Sequence, residues 1–216
     1  QSVSIRELDT PWLPVADRPV ELDGQDVFAD VESGVVLAPD GSAAAGDYEA
    51  VSEVAVNDPE ASNLAPTGAS EGLLDVPALP PQLVELAAEV TSSANASSPY
   101  QRALLLQEFL HDQFTFDPTA RSGHSYLRIM QVLGFPVEEA GPRGKATPGT
   151  SEQFAVAFAV MARSIGLPTR VAVGFHAGRQ LGDGRFTVRG TDAFAWPEVL
   201  FDGIGWVAFD PTPVAE

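Results

Sequence analysis

No cysteine occurs in the 216 residues, and that single absence rules out disulfides, thiolate metal sites and thiol nucleophiles together. Lysine occurs once, as Lys145, among 12 basic residues, the rest being arginine. Together with many alanines, this usage fits a GC-rich genome. The 3 histidines, His111, His124 and His176, show no His-x-x-x-His or carboxylate pairing at ligand spacing, so no metal is expected. No uninterrupted apolar run reaches roughly 18 residues, so no segment is expected to span a membrane. No basic stretch followed by an apolar block opens the chain, as it would in a signal peptide. An excised extracytoplasmic piece of a larger membrane protein would look the same.

What is present is acid. The net charge is −18, unevenly placed: residues 1–79 carry 16 acids against two arginines, and residues 80–216 carry 14 acids against ten bases. An acidic N-terminal unit on a nearly balanced core is the expected organisation. Nucleic acid and anionic membrane surfaces are poor partners for such a chain, because like charges repel. A halophile would also be acidic and lysine-poor, but it would spread acid over the core as well. The acids Asp23, Asp26, Asp30 and Glu32 could bind calcium, although such spacing more commonly marks a solvated face.

Residues 1–58 read as a small β unit. Val27–Val31, Gly34–Leu37 and Tyr48–Val54 are strand-like, with a turn at Pro39-Asp40-Gly41, and a sheet of three or four antiparallel strands is expected. Residues 59–79, polar and without periodicity, read as a linker or wrapping loop. The main unit is expected over residues 80–216. Pro80-Pro81 opens a helix with Leu83, Leu86, Ala87 and Val90 on its apolar side. Ser97-Ser98-Pro99 starts a second helix with the stripe Ala103, Leu106, Phe109, Leu110. Phe114–Pro118 reads as extended, Tyr126–Leu133 as a short helix, and Glu138–Pro148 as a loop that would wall a cleft.

Thr150 with Gln153 three residues on forms a capping box, and Phe154, Phe158, Met161 and Ile165 recur at helical spacing behind it. Gly166 stops that helix. Strands are expected at Val171–Phe175, Arg185–Arg189, Ala195–Phe201 and Trp206–Phe209. Gly182-Asp183-Gly184 makes a hairpin turn and is too short for a phosphate loop.

Four segments of this region, Gly149-Thr150-Ser151-Glu152-Gln153-Phe154-Ala155, Arg163-Ser164-Ile165-Gly166-Leu167-Pro168-Thr169-Arg170, Ala195-Trp196-Pro197-Glu198 and Asp210-Pro211-Thr212-Pro213, fall in the order and spacing of a known family. Over roughly residues 80–213 the chain resembles the transglutaminase-like superfamily. The Leu79-Pro80-Pro81-Gln82-Leu83 and Ser98-Pro99-Tyr100 stretches bring it nearest to the extracytoplasmic domain of actinobacterial multi-pass membrane proteins. The resemblance implies an α+β, papain-like fold, a central helix packed on an antiparallel sheet. It also implies a catalytic Cys, His and Asp at the positions of Ser151, Phe194 and Asp210. A thiolate suits a helix N-terminus, whose free amides and dipole stabilise negative charge; a His then takes the proton and an Asp orients the His.

Only Asp210 matches that triad. Serine is far less acidic than cysteine and needs a positioned base more, and Phe194 cannot accept a proton. A serine substituted for cysteine would account for position 151 alone. The expectation is therefore a catalytically inactive domain at the outer face of the cell membrane, part of a larger membrane protein. It would bind or scaffold a protein or peptide-like cell-envelope ligand without a cofactor, touching the membrane only through segments outside this sequence. Trp196, Ser151 and His124 are the candidate binding residues. Trp196 is as readily a core residue, Ser151 a satisfied first-turn residue, and Asp210 a cap on a strand-ending turn. Two alternatives stand beside it. One is a serine-dependent hydrolase or acyltransferase in which Ser151 uses a relocated His124 or His176. The other is a purely structural spacer whose cleft Phe194 fills.

Overall fold

The N-terminal stretch forms β1 (Ser2–Ile5), β2 (Arg18–Asp23), β3 (Phe28–Asp30), β4 (Val35–Leu37) and β5 (Gly46–Glu53), with alternate burial clearest in β4 and the middle of β5. The computed structural model describes residues 1–8, 10–24, 26–30, 33–39, 46–54, 58–68, 72–92, 96–136 and 143–214, in two units, Gln1–Val56 and Asn57–Glu216. The expected turn at Asp40-Gly41, Val31 and Glu32, and much of the expected loop at 138–148 lie outside the described residues.

In the first unit β5 is central, in the order β1-β5-β2, and β3 pairs with β4 as a separate ribbon. β5 turns Tyr48 and Ala50 inward, and Tyr48 joins Ile5, Leu13, Val36 and Ala38 in a small core. The Tyr48 hydroxyl donates to the Pro14 carbonyl, and burial pushes its pKa up to about 12. β1 and β2 were not expected from the sequence. Backbone pairing with β5 recruits them, helped by polar cross-strand pairs: Ser4 Oγ donates to Asp47 at 2.6 Å, and Arg18 pairs with Glu53.

The second unit starts earlier than expected, because residues 59–79 contribute to it. α1 (Pro59–Leu64) is capped by Asp58, whose carboxylate accepts from the Glu60 and Ala61 amides. Thr67 bridges Phe201, and the Gly68 amide donates to the Leu200 carbonyl at 2.9 Å. A β-carbon at Gly68 would meet the Leu200 side chain at 2.6 Å, so only glycine lets this stretch lie so close. Residues 67–68 therefore run along the strand that holds Leu200 and Phe201.

α2 (Pro81–Ser92), α3 (Pro99–Gln113), α4 (Tyr126–Val132) and α5 (Ser151–Ser164) surround one core. α5 is buried on nearly every side, with Phe154, Phe158 and Met161 fully enclosed; truncating such a phenylalanine to alanine costs about 3–5 kcal/mol. Beyond it come β6 (Thr169–Phe175), β7 (Arg179–Gly182), β8 (Arg185–Thr187), β9 (Ala193–Phe201) and β10 (Gly205–Ala208). β9 is the middle of an antiparallel sheet ordered β10-β9-β6, and β7 and β8 form a hairpin inserted between β6 and β9. β9 alternates strictly: Ala195, Val199 and Phe201 are buried, while Phe194, Trp196, Glu198 and Leu200 on the opposite face keep part of their surface open. A helix packed on an antiparallel sheet, the α+β arrangement, is what the structure contains.

Candidate functional site

The start of α5 is built around Gln153. Its backbone amide donates to the Thr150 hydroxyl oxygen at 3.4 Å, and its side-chain oxygen accepts from the Thr150 amide at 3.2 Å, which completes the expected capping box. The other half of the same side chain reaches away. Gln153 Nε2 donates to the carbonyls of Arg121 at 2.8 Å and Gly123 at 2.7 Å, and the residue is 0% exposed. Arg128 reinforces this from α4, donating to the Arg121 and Pro148 carbonyls and the Thr147 hydroxyl. Gly149 is closely packed: a β-carbon there would sit 3.0 Å from Val132 and 3.2 Å from Phe154. Here the chain bridges Phe116 in parallel, which draws residues 115–117 to the helix start.

Ser151, the first residue of α5, is half-buried, and its Oγ accepts a hydrogen bond from the Ala195 amide at 3.3 Å. That amide lies on the β10 side of β9. β10 pairs only as far as Ala208 with Glu198, and one further bond follows from the Phe209 amide to the Pro197 carbonyl. The serine hydroxyl takes the place of the next strand acceptor.

Phe194 precedes Ala195 and pairs across the sheet with Gly174. Its ring lies 4.0 Å, centroid to centroid, from the His176 imidazole and 6.4 Å from Trp196, nearly parallel to the latter. Asp210 follows the end of β10. Its carboxylate accepts from the Thr212 amide at 3.0 Å, its own amide donates to Gln107 at 2.9 Å, and the side chain is exposed. Strand register and the Ser151 bond thus gather positions 151, 194 and 210 around the first half of β9, and Asp210 serves there as a turn cap.

Trp196 stands on the face of β9 away from α5, pressed over Gly174, where a β-carbon would come within 2.8 Å of its ring. The indole N–H donates to Glu198 at 3.0 Å, Glu198 pairs with Arg170 at 2.7 Å, and the Arg170 guanidinium covers the Trp206 ring at 4.3 Å. This belt of Arg170, Glu198 and Trp206 was not anticipated. Its signal lay in the cross-strand pairing of 170 with 198, which requires the register. His124, exposed on the loop that Gln153 holds, meets the half-buried Glu152 of α5 at 2.7 Å. No bond joins His124 or His176 to Ser151 among the described residues. Nor does any group of three or more His, Asp or Glu converge there in a way that could hold a metal. Of the acids weighed for calcium, Asp30 bonds the Ser33 hydroxyl.

Comparison with known proteins adds the following. The transglutaminase-like superfamily matches residues 84–211. The periplasmic domain of TgpA from Pseudomonas aeruginosa is similar in structure, with a TM-score of 0.66 and 19% identity over 97% of this chain and 68% of that one. The same domain bound to ethylmercury gives 0.63 and 22% over 97% and 70%. A candidate cysteine protease from Cytophaga hutchinsonii gives 0.53 and 15% over 98% and 70%. No curated protein matches the chain.

Proposed function

We propose that this chain, which belongs to the transglutaminase-like superfamily, works by binding and not by catalysis. The observation that carries the reading is the state of the three triad-equivalent side chains. Ser151 Oγ closes a sheet ladder, Phe194 lies in an aromatic stack, and the Asp210 carboxylate caps a turn. An acyl transfer needs a base within reach of the nucleophile's proton, and a phenyl ring offers no lone pair for it. Phe194, Trp196 and Ser151 keep part of their surface open, which leaves them within reach of a ligand. An extracytoplasmic place, with scaffolding of a protein or peptide-like cell-envelope ligand, is part of the proposal. It is supported by the likeness to a periplasmic domain.

The experiment is to install Ser151→Cys with Phe194→His and measure thiol alkylation. A fast-reacting thiol in the double variant, and a slow one in Ser151→Cys alone, is the expected result. Equal, slow reaction in both would sink the assignment of these positions. One observation favours a second reading: His176 lies against Phe194, beside the position a base would hold. If Ser151 used it, a fluorophosphonate probe would label Ser151 in the unmodified protein and fail on His176→Ala. No labelling is expected.

A further inference from the structure

β6 has β9 on one side and no strand on the other among the described residues. Two bonds fix which of its groups face outward: the Leu200 amide donates to the Pro168 carbonyl, and the His176 amide to the Asp192 carbonyl, each at 2.9 Å. In an antiparallel ladder these make residues 168, 170, 172 and 174 face β9, so the amides and carbonyls of Thr169, Val171, Val173 and Phe175 face away. The Thr169 carbonyl is taken by the Arg163 guanidinium at 2.6 and 2.9 Å. The next three are left without a bond among the described residues, and Val173 is 79% exposed. The segment Val171-Ala172-Val173-Gly174-Phe175 carries no charge, bulge or proline, which are the usual protections of a free edge.

β7 begins shortly after Phe175 and, among the described residues, likewise has a strand on one side only. Its hairpin holds the exposed arginines Arg179 and Arg185, with Arg189 just beyond, and the exposed apolar residues Leu181, Phe186 and Val188. None of these three arginines belongs to an ion pair among the described residues. They are a quarter of the 12 basic residues of a chain whose net charge is −18.

We propose that the outer edge of β6 and the arginine hairpin receive an extended acidic segment of a partner protein, which adds to the sheet as a strand. Main-chain bonds to Val171, Val173 and Phe175 would hold it, alternate apolar side chains would cover Val173 and Phe175, and carboxylates would meet Arg179 and Arg185. A second copy of this chain is disfavoured as occupant, because edge-to-edge pairing would bring like arginines and two strongly acidic bodies together. A lipid surface offers no ladder partner for the free amides. This inference takes binding as the domain's role but uses a surface separate from positions 151, 194 and 210.

The test is fluorescence anisotropy with the intact chain and short capped peptides of alternating valine and glutamate or valine and lysine. The glutamate peptide is expected to bind and the lysine peptide to fail. N-methylation of the amides along one edge of the glutamate peptide should abolish its binding. Arg179→Glu with Arg185→Glu should weaken it by about tenfold or more and admit the lysine peptide. Val173→Pro, which removes an outward amide, should weaken it without changing affinity for an unrelated antibody raised to the folded chain. Three results would overturn the proposal: equal binding of both peptides, no loss on N-methylation, or dimers in sedimentation that Val173→Pro abolishes. Binding to vesicles of anionic lipid with no peptide response would do the same. Fluorophosphonate labelling of Ser151 would end the non-catalytic reading and leave these peptide measurements untouched.

Discussion

The two sides of the site are built on opposite principles. At the start of α5, Gln153 is wholly buried and bonded at both ends, so one side chain caps the helix and pins residues 121–123. At the start of β9, contact between rings takes over: His176, Phe194 and Trp196 line up on a partly open face, over a glycine. The polar side holds a fixed geometry, since each of its bonds has a direction. The aromatic side offers area and tolerates exchange. What the helix presents to the site is therefore preserved by folding requirements alone, whether or not chemistry follows.

Gln153→Ala is expected to have the largest effect, a loss of about 3 kcal/mol in urea unfolding, because the Arg121 and Gly123 carbonyls lose their buried partner and the Thr150 amide loses its own. A loss below 1 kcal/mol, on the order of a surface change, would erase the contrast. Phe194→Ala should cost about 1.5 kcal/mol, since the ring is half open and contributes mostly stacking. If it cost as much as Gln153→Ala, the aromatic side would be core and not a surface. Ser151→Ala should cost about 1 kcal/mol, with faster hydrogen exchange at the Ala195 amide, which would lose its acceptor. The smallest effect concerns Asp117. Bonds from the Thr119 hydroxyl and amide hold its carboxyl below the usual carboxylate range. A depressed pKa gives a contribution that is present above the unfolded value and lost as pH falls through the folded one. Exchange at the Thr119 amide should thus rise only in acid below that value, while the Gln153-bonded loop beside it stays protected.

The helices that frame the site were legible because their signals are local. Pro81, Ser98 and the Thr150–Gln153 box sit at the starts of α2, α3 and α5, and the stripe Leu83, Leu86, Ala87 is buried as its spacing required. α1 was missed, although Asp58 before Pro59 is a cap signal, because six residues are too few to show periodicity. The second role of Gln153 could not be read, since its partners lie some 30 residues back along the chain. The same holds for the Ser151 bond to Ala195 and the contact of His176 with Phe194: both depend on where β6 and β9 meet, which spacing along the chain does not encode. Trp196, left between groove and core, is neither in full; it is flattened on the outer face because position 174 has no side chain.

The Ser151 bond also has a consequence for the atom at that position. A sheet one acceptor short is closed by a helix residue, so the atom there acts as a mechanical fastener between two elements. Oxygen serves that purpose better than sulfur, which is larger and a weaker acceptor. Serine at this position therefore makes a tighter seam than cysteine would, and Ser151→Cys is expected to loosen it.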